Sequence, residues 1–354
     1  MICVIMPTYN EAENIGTAIA EVGRALSGIP HKIIVVDDAS PDGTADVARR
    51  LGAHVLVRRG RRGAGTAVLD GLREAGRLGC AFAAVVDADL QHDVAKLGGM
   101  YELLMDGADL VVGSRYLPGG GIEGGLSLPR RIVSKGAELY VHLLLPRTRG
   151  LTDAHGNFFA VRLDAVSDLD VRVVGRAPEV LPLLIQRLRP GARVVEVPYI
   201  FRRRRAGKSK LGPAAVTAFM ATVLLASPLL PLAAAGALGI AANMAVLAAA
   251  LSAGLPQFAA SGLAVEASIL SNFFTADALL KGQRGVARIG GLLRYHAAVG
   301  LGAAVQYAAA VAAYHLLAIP AAAAQLIGIA AGFLANYYAS TEAVWRQNIR
   351  RERP

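Results

Sequence analysis

Two carboxylates, Asp87 and Asp89, stand one residue apart at the end of an apolar run that begins at Cys80, with Gln91 and His92 just behind them. Side chains at i and i+2 of an extended segment point the same way. Asp87 and Asp89 can therefore meet on one hard divalent cation, Mg²⁺ or Mn²⁺, which takes oxygen ligands and leaves positions open for phosphate oxygens. The same pair also suits a solvated strand end, so the surrounding elements have to decide.

Those elements alternate. Ile2–Met6, Ile33–Val36, His54–Val57, the run before Asp87 and Asp109–Val112 read as short apolar strands. Amphipathic helices are expected from Glu11 to Leu26 and onward to Leu51, Leu78 and Met105, with Asp42 capping the second of them. This alternation predicts an α/β domain with a mostly parallel sheet covered by helices on both faces. Ligands of such sheets bind beyond the carboxyl ends of the strands. Pro7–Glu11, Asp37-Asp38, Asp87–Gln91 and Gly113–Tyr116 all fall there. No Gly-x-Gly-x-x-Gly follows the first strand and no Gly-x-x-x-x-Gly-Lys-Ser/Thr is present, which excludes the dinucleotide and P-loop readings.

The chain has 354 residues, a formal net charge of +10 and a mean hydropathy of +0.43. The hydropathy is unevenly spread: after Lys210 no charged residue occurs until Glu266. The division expected from this break is a catalytic domain over 1–210, an interfacial segment over 211–227, a membrane domain over 228–345 and a basic tail over 346–354. Leu229–Leu251, Phe258–Leu280, Leu292–Leu317 and Ala321–Ala343 are long enough to span a bilayer, and Pro213–Ala226 is short enough to lie in the interface. Lys281, Arg284, Arg288 and Arg294 fill one connection and Arg346, Arg350, Arg351 and Arg353 the tail, whereas the other two linkers are uncharged. Positive-inside logic then gives four spans with the catalytic domain on the cytosolic face. Met1–Pro7 reads as a strand and not as a signal peptide. Cys3 and Cys80 form neither a metal spacing nor a disulfide framework, as in a reducing, cytosol-facing domain. The basic residues lack interleaved aromatics, so their partner is membrane lipid and not nucleic acid.

Pro7-Thr8-Tyr9-Asn10-Glu11, Val35-Val36-Asp37-Asp38 with Ser40-Pro41-Asp42-Gly43-Thr44, Asp87-Ala88-Asp89-Leu90-Gln91-His92 and Gly113-Ser114-Arg115-Tyr116 resemble, in order and spacing, the family-2 inverting glycosyltransferases. Within them they look most like the dolichyl/polyprenyl-phosphate mannosyltransferases. The resemblance implies a GT-A fold in which Pro7, Tyr9, Glu11, Val36 and Asp38 hold the nucleoside of GDP-mannose. It places Asp87, Asp89 and Gln91 on Mg²⁺ or Mn²⁺ at the diphosphate, while Asp37 secures its own loop. Arg130 matches an arginine four residues before a serine, and Arg204, Ser209 and Lys210 match a Phe-x-x-Arg-x-x-Gly-x-Ser-Lys signature. Asp89, Arg115, Arg130, Arg204 and Lys210 thus form the implied catalytic set. Arg115, Arg204 and Lys210 also grip phosphate, and Arg202, Arg203 and Arg205 face anionic lipid.

Gly119–Gly121 and Gly124-Gly125 suit a lid between Arg115 and Arg130. Asp153-Ala154-His155-Gly156-Asn157-Phe158-Phe159 follows the family's Asp-Pro-x-Ser-Gly-Phe-Phe element but departs from it at Ala154, Gly156 and Asn157. Val265–Phe274 and Gly332–Tyr338 resemble GtrA-like membrane repeats, in which Glu266 and Asn272 are either functional or set helix packing. The implied activity is mannose transfer from GDP-mannose to dolichyl or polyprenyl phosphate. UDP-glucose as donor and a non-catalytic lipid-sugar flippase or scaffold are the alternatives.

Overall fold

The computed structural model describes residues 1–60, 63–125, 128–203, 212–255, 257–279, 288–317, 327–335 and 349–351. They fall into two compact units, Met1–Ala226 with Gln347–Pro354, and Ser227–Arg346. In chain order the first unit runs β1 (Ile2–Thr8), α1 (Ala12–Ala25), β2 (His31–Asp37), α2 (Thr44–Arg50), β3 (His54–Val57), α3 (Ala64–Arg77) and β4 (Phe82–Val85). It continues through α4 (Leu97–Met105), β5 (Leu110–Ser114), β6 (Gly121–Ile122), α5 (Leu128–Leu144), β7 (Phe159–Arg162), α6 (Leu181–Arg187), β8 (Val194–Pro198), β9 (Ile200–Phe201) and α7 (Pro213–Ala226). In the second unit lie α8 (Leu229–Ser252), α9 (Gln257–Leu279), α10 (Arg288–Leu317) and a helix over 327–335. β10 (Ile349–Arg351) returns to the first unit.

One sheet has the order β10-β8-β5-β7-β4-β1-β2-β3. β7 runs antiparallel to β4 and β5, and every other pair in it is parallel. Alternation along β1 sends Ile2, Val4 and Met6 into one core and Cys3 and Ile5 into the other. A strand buried on both faces has no polar side to show, hence its unbroken apolar sequence. α1 covers one face with Ile15, Ala18, Ile19 and Val22 at helical spacing. α3 covers the other so closely that a Cβ on Gly71 would strike the Ile5 side chain. β1 has β2 on one side and β4 on the other, so the loops leaving their carboxyl ends diverge and open a crevice.

The strands and helices expected from the alternation are present, and several features differ from expectation. Phe159–Arg162, absent from the strands expected from the alternation, is the antiparallel strand β7. Cys3 and Cys80 are joined in a disulfide, which corrects the expectation of two reduced cysteines. They are 77 residues apart in sequence, but pairing of Cys3 with Ala83 brings the approach to β4 beside β1. The basic tail contributes β10, with Arg350 opposite Val195. Finally, the compact first unit extends through α7, past the composition break at Lys210. The reason is packing: Phe219 and Val223 enter the core alongside Val141 and Leu181. The Val174 amide donates to Thr222 Oγ1 (2.8 Å) and the Tyr140 hydroxyl to the Met220 carbonyl (2.9 Å).

In the second unit Leu229–Ala250 is, among the described residues, the one helix long and apolar enough to cross a membrane by length and composition. Glu266 of α9 meets His296 Nε2 of α10 at 2.9 Å, an interhelical bond that tethers the two helices.

Phe219→Ala should lower the stability of the first unit by about 3–5 kcal/mol, the usual cost of emptying a buried aromatic site. Chemical denaturation followed by tyrosine fluorescence checks it; an unchanged midpoint would detach α7 from this core.

Candidate active site

The loops after β1, β2 and β4 each hold one non-glycine residue in the left-handed region: Asn10 (φ 54°), Ala39 (φ 55°) and Leu90 (φ 63°). Asparagine tolerates this region, but for alanine and leucine it costs on the order of 1–2 kcal/mol each. The conformations persist because carboxylates clamp these turns. Asp37 accepts hydrogen bonds from Thr8 Oγ1 (2.9 Å), the Ser40 amide (2.8 Å) and Ser40 Oγ (2.6 Å), and so secures its loop. Asp42 accepts from Thr44 and also from the Ala12 amide (3.0 Å), reaching the start of α1 as well as α2. Asp89 accepts from the Gln91 amide (3.1 Å), closing the turn at Leu90.

Asp38 is held by Arg58, whose Nη2 bonds Oδ1, and by the Gly63 amide, which donates to Oδ2 at 2.7 Å. Arg58 also donates to Thr66 Oγ1 (2.7 Å) and the Gly63 carbonyl (2.8 Å), and both partners of the Asp38 pair are buried. In the sequence Arg58 looks like one more basic loop residue; the one available signal is its position directly after a strand.

His92 is the second residue whose role the sequence hides. It is buried, stacks on Phe158 at 5.1 Å, meets Tyr199 edge-on and lies tilted against Phe201. The Asp87 amide donates to Nδ1 (3.1 Å), so the proton sits on Nε2, 3.7 Å from Asp87 Oδ2. Burial lowers its pKa to about 4 against the opposing charges of Asp89 and Asp153, so the ring is neutral. It thus holds the Asp87 backbone amide, with its Nε2–H on the side of the carboxylate.

Two adjoining cavities occupy the strand ends of the first unit. The first, about 690 Å³, is lined by Pro7, Tyr9, Glu11, Asp38, Asp87, Asp89 and Gln91. Val36, grouped with them by the sequence, is fully buried in the sheet and offers this cavity no side chain. The second, about 840 Å³, is lined by Arg115, Ser134, His155, Tyr199, Arg202 and Arg203, and again by Asp87 and Gln91. The Gln91 amide nitrogen donates to the Arg202 carbonyl (3.0 Å), which turns Oε1 away from that bond.

Arg115 is gripped by Asp153 through Nε (2.7 Å), Nη2 (2.6 Å) and its own backbone amide (3.0 Å). Burial opposes its charge, but the bonds and charge of Asp153 raise its pKa further. Arg202, assigned from sequence to the lipid surface, instead pairs with Asp93 at 2.9 Å, and the Arg203 amide donates to Glu123 Oε2 at 2.8 Å. The glycine-rich segment is stitched to the site: β6 pairs with β9 in a two-stranded sheet. Arg130 lies in α5, with its side chain outside the described residues; Arg204, Arg205, Ser209 and Lys210 lie wholly outside them.

Glu138, Asp153 and His155 bring ligating atoms within 4.8 Å of one another. All three are engaged in ion pairs: Glu138 bridges His142 (2.9 Å) and His155 (2.5 Å). Burial raises the Glu138 pKa, but bonds from His142 and His155 prevail and hold it well below the usual carboxylate range. Burial lowers that of His155, and the bond to Glu138 with the charge of Asp153 outweighs both this and Arg115, leaving it raised.

With the geometry in place, two family models fit the chain: "Glycosyl transferase family 2" over residues 3–169 and "GtrA/DPMS, transmembrane domain" over residues 232–345. The chain belongs to the family-2 glycosyltransferases, in the branch that joins this enzyme domain to a GtrA/DPMS transmembrane domain. It is 32% identical over 361 residues to the dolichol-phosphate mannosyltransferase of Pyrococcus furiosus, covering 97% of this chain and 99% of that one. It is also 34% identical to the polyprenol monophosphomannose synthase of Mycolicibacterium smegmatis, over 59% of this chain and 80% of the relative. Micrococcus luteus undecaprenyl-phosphate mannosyltransferase is 34% identical over 59% of this chain and 87% of its own. Among solved structures, glucosyl-3-phosphoglycerate synthase of Mycobacterium tuberculosis is 19% identical with a TM-score of 0.49, over 64% of this chain and 80% of that one.

Two outcomes follow from the ion pairs. Arg58→Ala leaves Asp38 buried without its partner and should cost about 3–5 kcal/mol in unfolding free energy. The second concerns pH. The raised pKa of His155 gives a contribution present below its ordinary 6.5 and lost as pH climbs through the raised value. The lowered pKa of Glu138 gives one present above 4.5 and lost toward stronger acid. The gap in thermal midpoint between the native protein and His155→Gln should therefore be widest near about pH 5.5 and narrow toward about pH 9. Differential scanning across pH reads it, and a gap that widens with pH contradicts the pairing.

Proposed function

We propose that this enzyme transfers mannose from GDP-mannose to a dolichyl or polyprenyl phosphate, inverting the anomeric carbon in a single displacement. The observation that carries the reading is the pair of adjoining cavities with a common wall, one rimmed by carboxylates and the other by arginines. Names of the relatives, each a mannosyltransferase and two specifying a dolichol or undecaprenyl phosphate, support the sugar and the acceptor class.

In this reading Pro7, Tyr9, Glu11 and Asp38 line the nucleoside end of the first cavity, and Val36 takes part only through its backbone. Asp87, Asp89 and Gln91 present the carboxylate and amide oxygens that suit Mg²⁺ or Mn²⁺, and Asp87 opens onto both cavities. A cation bound there would offset charge gathering on the departing diphosphate. The acceptor phosphate is already anionic at neutral pH, so attack needs positioning more than proton removal. Arg115 supports that positioning: Asp153 takes its Nε–Nη2 edge, which leaves Nη1 for a phosphate oxygen. Arg130, Arg204 and Lys210 join it by their place in the sequence. As the acceptor oxygen bonds to the anomeric carbon, the bond to GDP breaks and GDP leaves with its electron pair.

The helical unit keeps the lipid acceptor at the bilayer. β10 belongs to the catalytic unit's own sheet, so the chain leaves that unit after α7 and comes back to it, which supports an even number of crossings. Four crossings, with the basic connections and the catalytic unit on the cytosolic face, satisfy both this and the charge distribution.

Asp89→Ala should abolish transfer with little change in thermal midpoint; activity that persists independently of metal sinks the metal assignment. The full reaction is tested in detergent micelles with a short polyprenyl phosphate, Mg²⁺ or Mn²⁺, and GDP-mannose or UDP-glucose offered separately. A hexosyl phospholipid from GDP-mannose alone, identified by mass, is the expected result. Product from UDP-glucose alone overturns the donor, and no product from either overturns the activity.

A further inference from the structure

The wall common to the two cavities consists of Asp87, Gln91, Asn157, Glu179, Phe201 and Ala215. Any group passing between them crosses this wall. Asp87 and Gln91 belong to the proposed cation set, and Phe201 and Ala215 are apolar, which leaves Asn157 and Glu179 without a role.

Both carry an oxygen sealed from solvent with no hydrogen-bond partner among the described residues: Asn157 Oδ1 and Glu179 Oε2. The Asn157 orientation is fixed, because its Nδ2 donates to the Pro178 carbonyl at 3.2 Å, an atom that can only accept. That bond also anchors the residue next to Glu179. The segment is further tied down by the Gly65 amide, which donates to the Ala177 carbonyl at 3.2 Å. Two acceptors are thus held rigidly at the crossing point, each lacking a donor. An unpaired buried acceptor costs about 1–3 kcal/mol, and native proteins keep such groups chiefly where a ligand or water completes them. Burial pushes the Glu179 carboxyl up to about 7, with His155 and Arg115 opposing and Asp87 adding to the rise. A charge-neutral ligand that donates hydrogen bonds matches this surface better than a phosphate does. Between a nucleoside diphosphate and a lipid phosphate, the part with that character is the sugar.

We propose that Asn157 Oδ1 and Glu179 Oε2 accept hydrogen bonds from hydroxyl groups of the transferred hexose and determine which hexose is accepted. This rests on the preceding reading, that the first cavity holds a sugar nucleotide. Asn157 stands where the family's element has glycine, so the contact is a property of this chain's own sequence.

The test separates the sugar from its nucleotide. Affinities of the full-length protein in detergent with Mn²⁺ are measured by titration calorimetry for GDP against GDP-mannose and for UDP against UDP-glucose. The native protein is compared with Asn157→Ala, Glu179→Leu and Glu179→Gln. For whichever pair binds, the two truncations should leave nucleoside diphosphate affinity within about twofold and weaken the sugar nucleotide roughly ten- to a hundredfold. Glu179→Gln retains an acceptor oxygen and should recover part of that loss. Removing single hydroxyls with deoxy-hexose donors should penalise the native protein and leave the matching truncation indifferent. Equal weakening of both ligands would show a structural role and overturn the proposal, as would unchanged sugar-nucleotide affinity. Binding of the UDP pair alone removes the GDP-mannose reading and leaves this one standing; binding of neither pair removes both.

Discussion

Like charge, gathered at one edge of a sheet, is the constraint the catalytic unit is built around. Glu11, Asp37, Asp38, Asp87 and Asp89 all stand where β1, β2 and β4 end. A pair of unit charges 4 Å apart repels by about 1 kcal/mol in water and about 4 kcal/mol near a protein surface. The fold answers with separate donors for four of them: the Asn14 amide for Glu11, hydroxyls and an amide for Asp37, Arg58 and Gly63 for Asp38, and the Gln91 amide for Asp89, while the backbone amide of Asp87 is held by the neutral His92. The same bonds hold Ala39 and Leu90 in a backbone conformation they would otherwise avoid. Charge compensation and loop shape are therefore one problem with one solution.

The arginine side of the site follows a complementary logic. Asp153 binds Arg115 on two side-chain nitrogens and its backbone amide, and Glu138 joins His142 and His155, so the basic side chains are fixed in direction as well as in place. In the proposed reading, a phosphate arriving there would meet donors whose directions are already set, so less side-chain freedom is lost on binding. The aromatic group of Phe158, Tyr199 and Phe201 around His92 forms the stiff partition behind both halves.

Much of this was legible in the sequence because it depends on local pattern. Apolar runs of strand length separated by amphipathic helices gave the sheet and its crossovers, and the position of Asp87 and Asp89 after such a run placed them at the crevice. What depends on distant partners was not legible. His92 carries no local mark of its role, and Arg58 only its position directly after a strand, since each acts through a residue on another loop or through the path of its own turn. Phe159–Arg162 pairs antiparallel inside an otherwise parallel sheet, a choice made by neighbours far away in the chain. Cys3 and Cys80 look unrelated until β1 and β4 lie side by side, and α7 reads as an interfacial segment until the core that accepts Phe219 is seen. Glu179 was equally silent and Asn157 was marked only as a departure from the family's element, because an unsatisfied oxygen is a property of surroundings and not of residue type.

The place of β10 bears on how the protein is made. Its partner β8 belongs to the catalytic sheet, yet the whole helical unit is synthesised between the two. Until those helices have emerged from the ribosome, β8 presents an uncovered row of amides and carbonyls, the arrangement most prone to pairing with a neighbouring chain. Biogenesis of the catalytic half is thereby coupled to that of the helical half, and β8 stays at the edge of the nascent sheet until the final strand arrives to cover it.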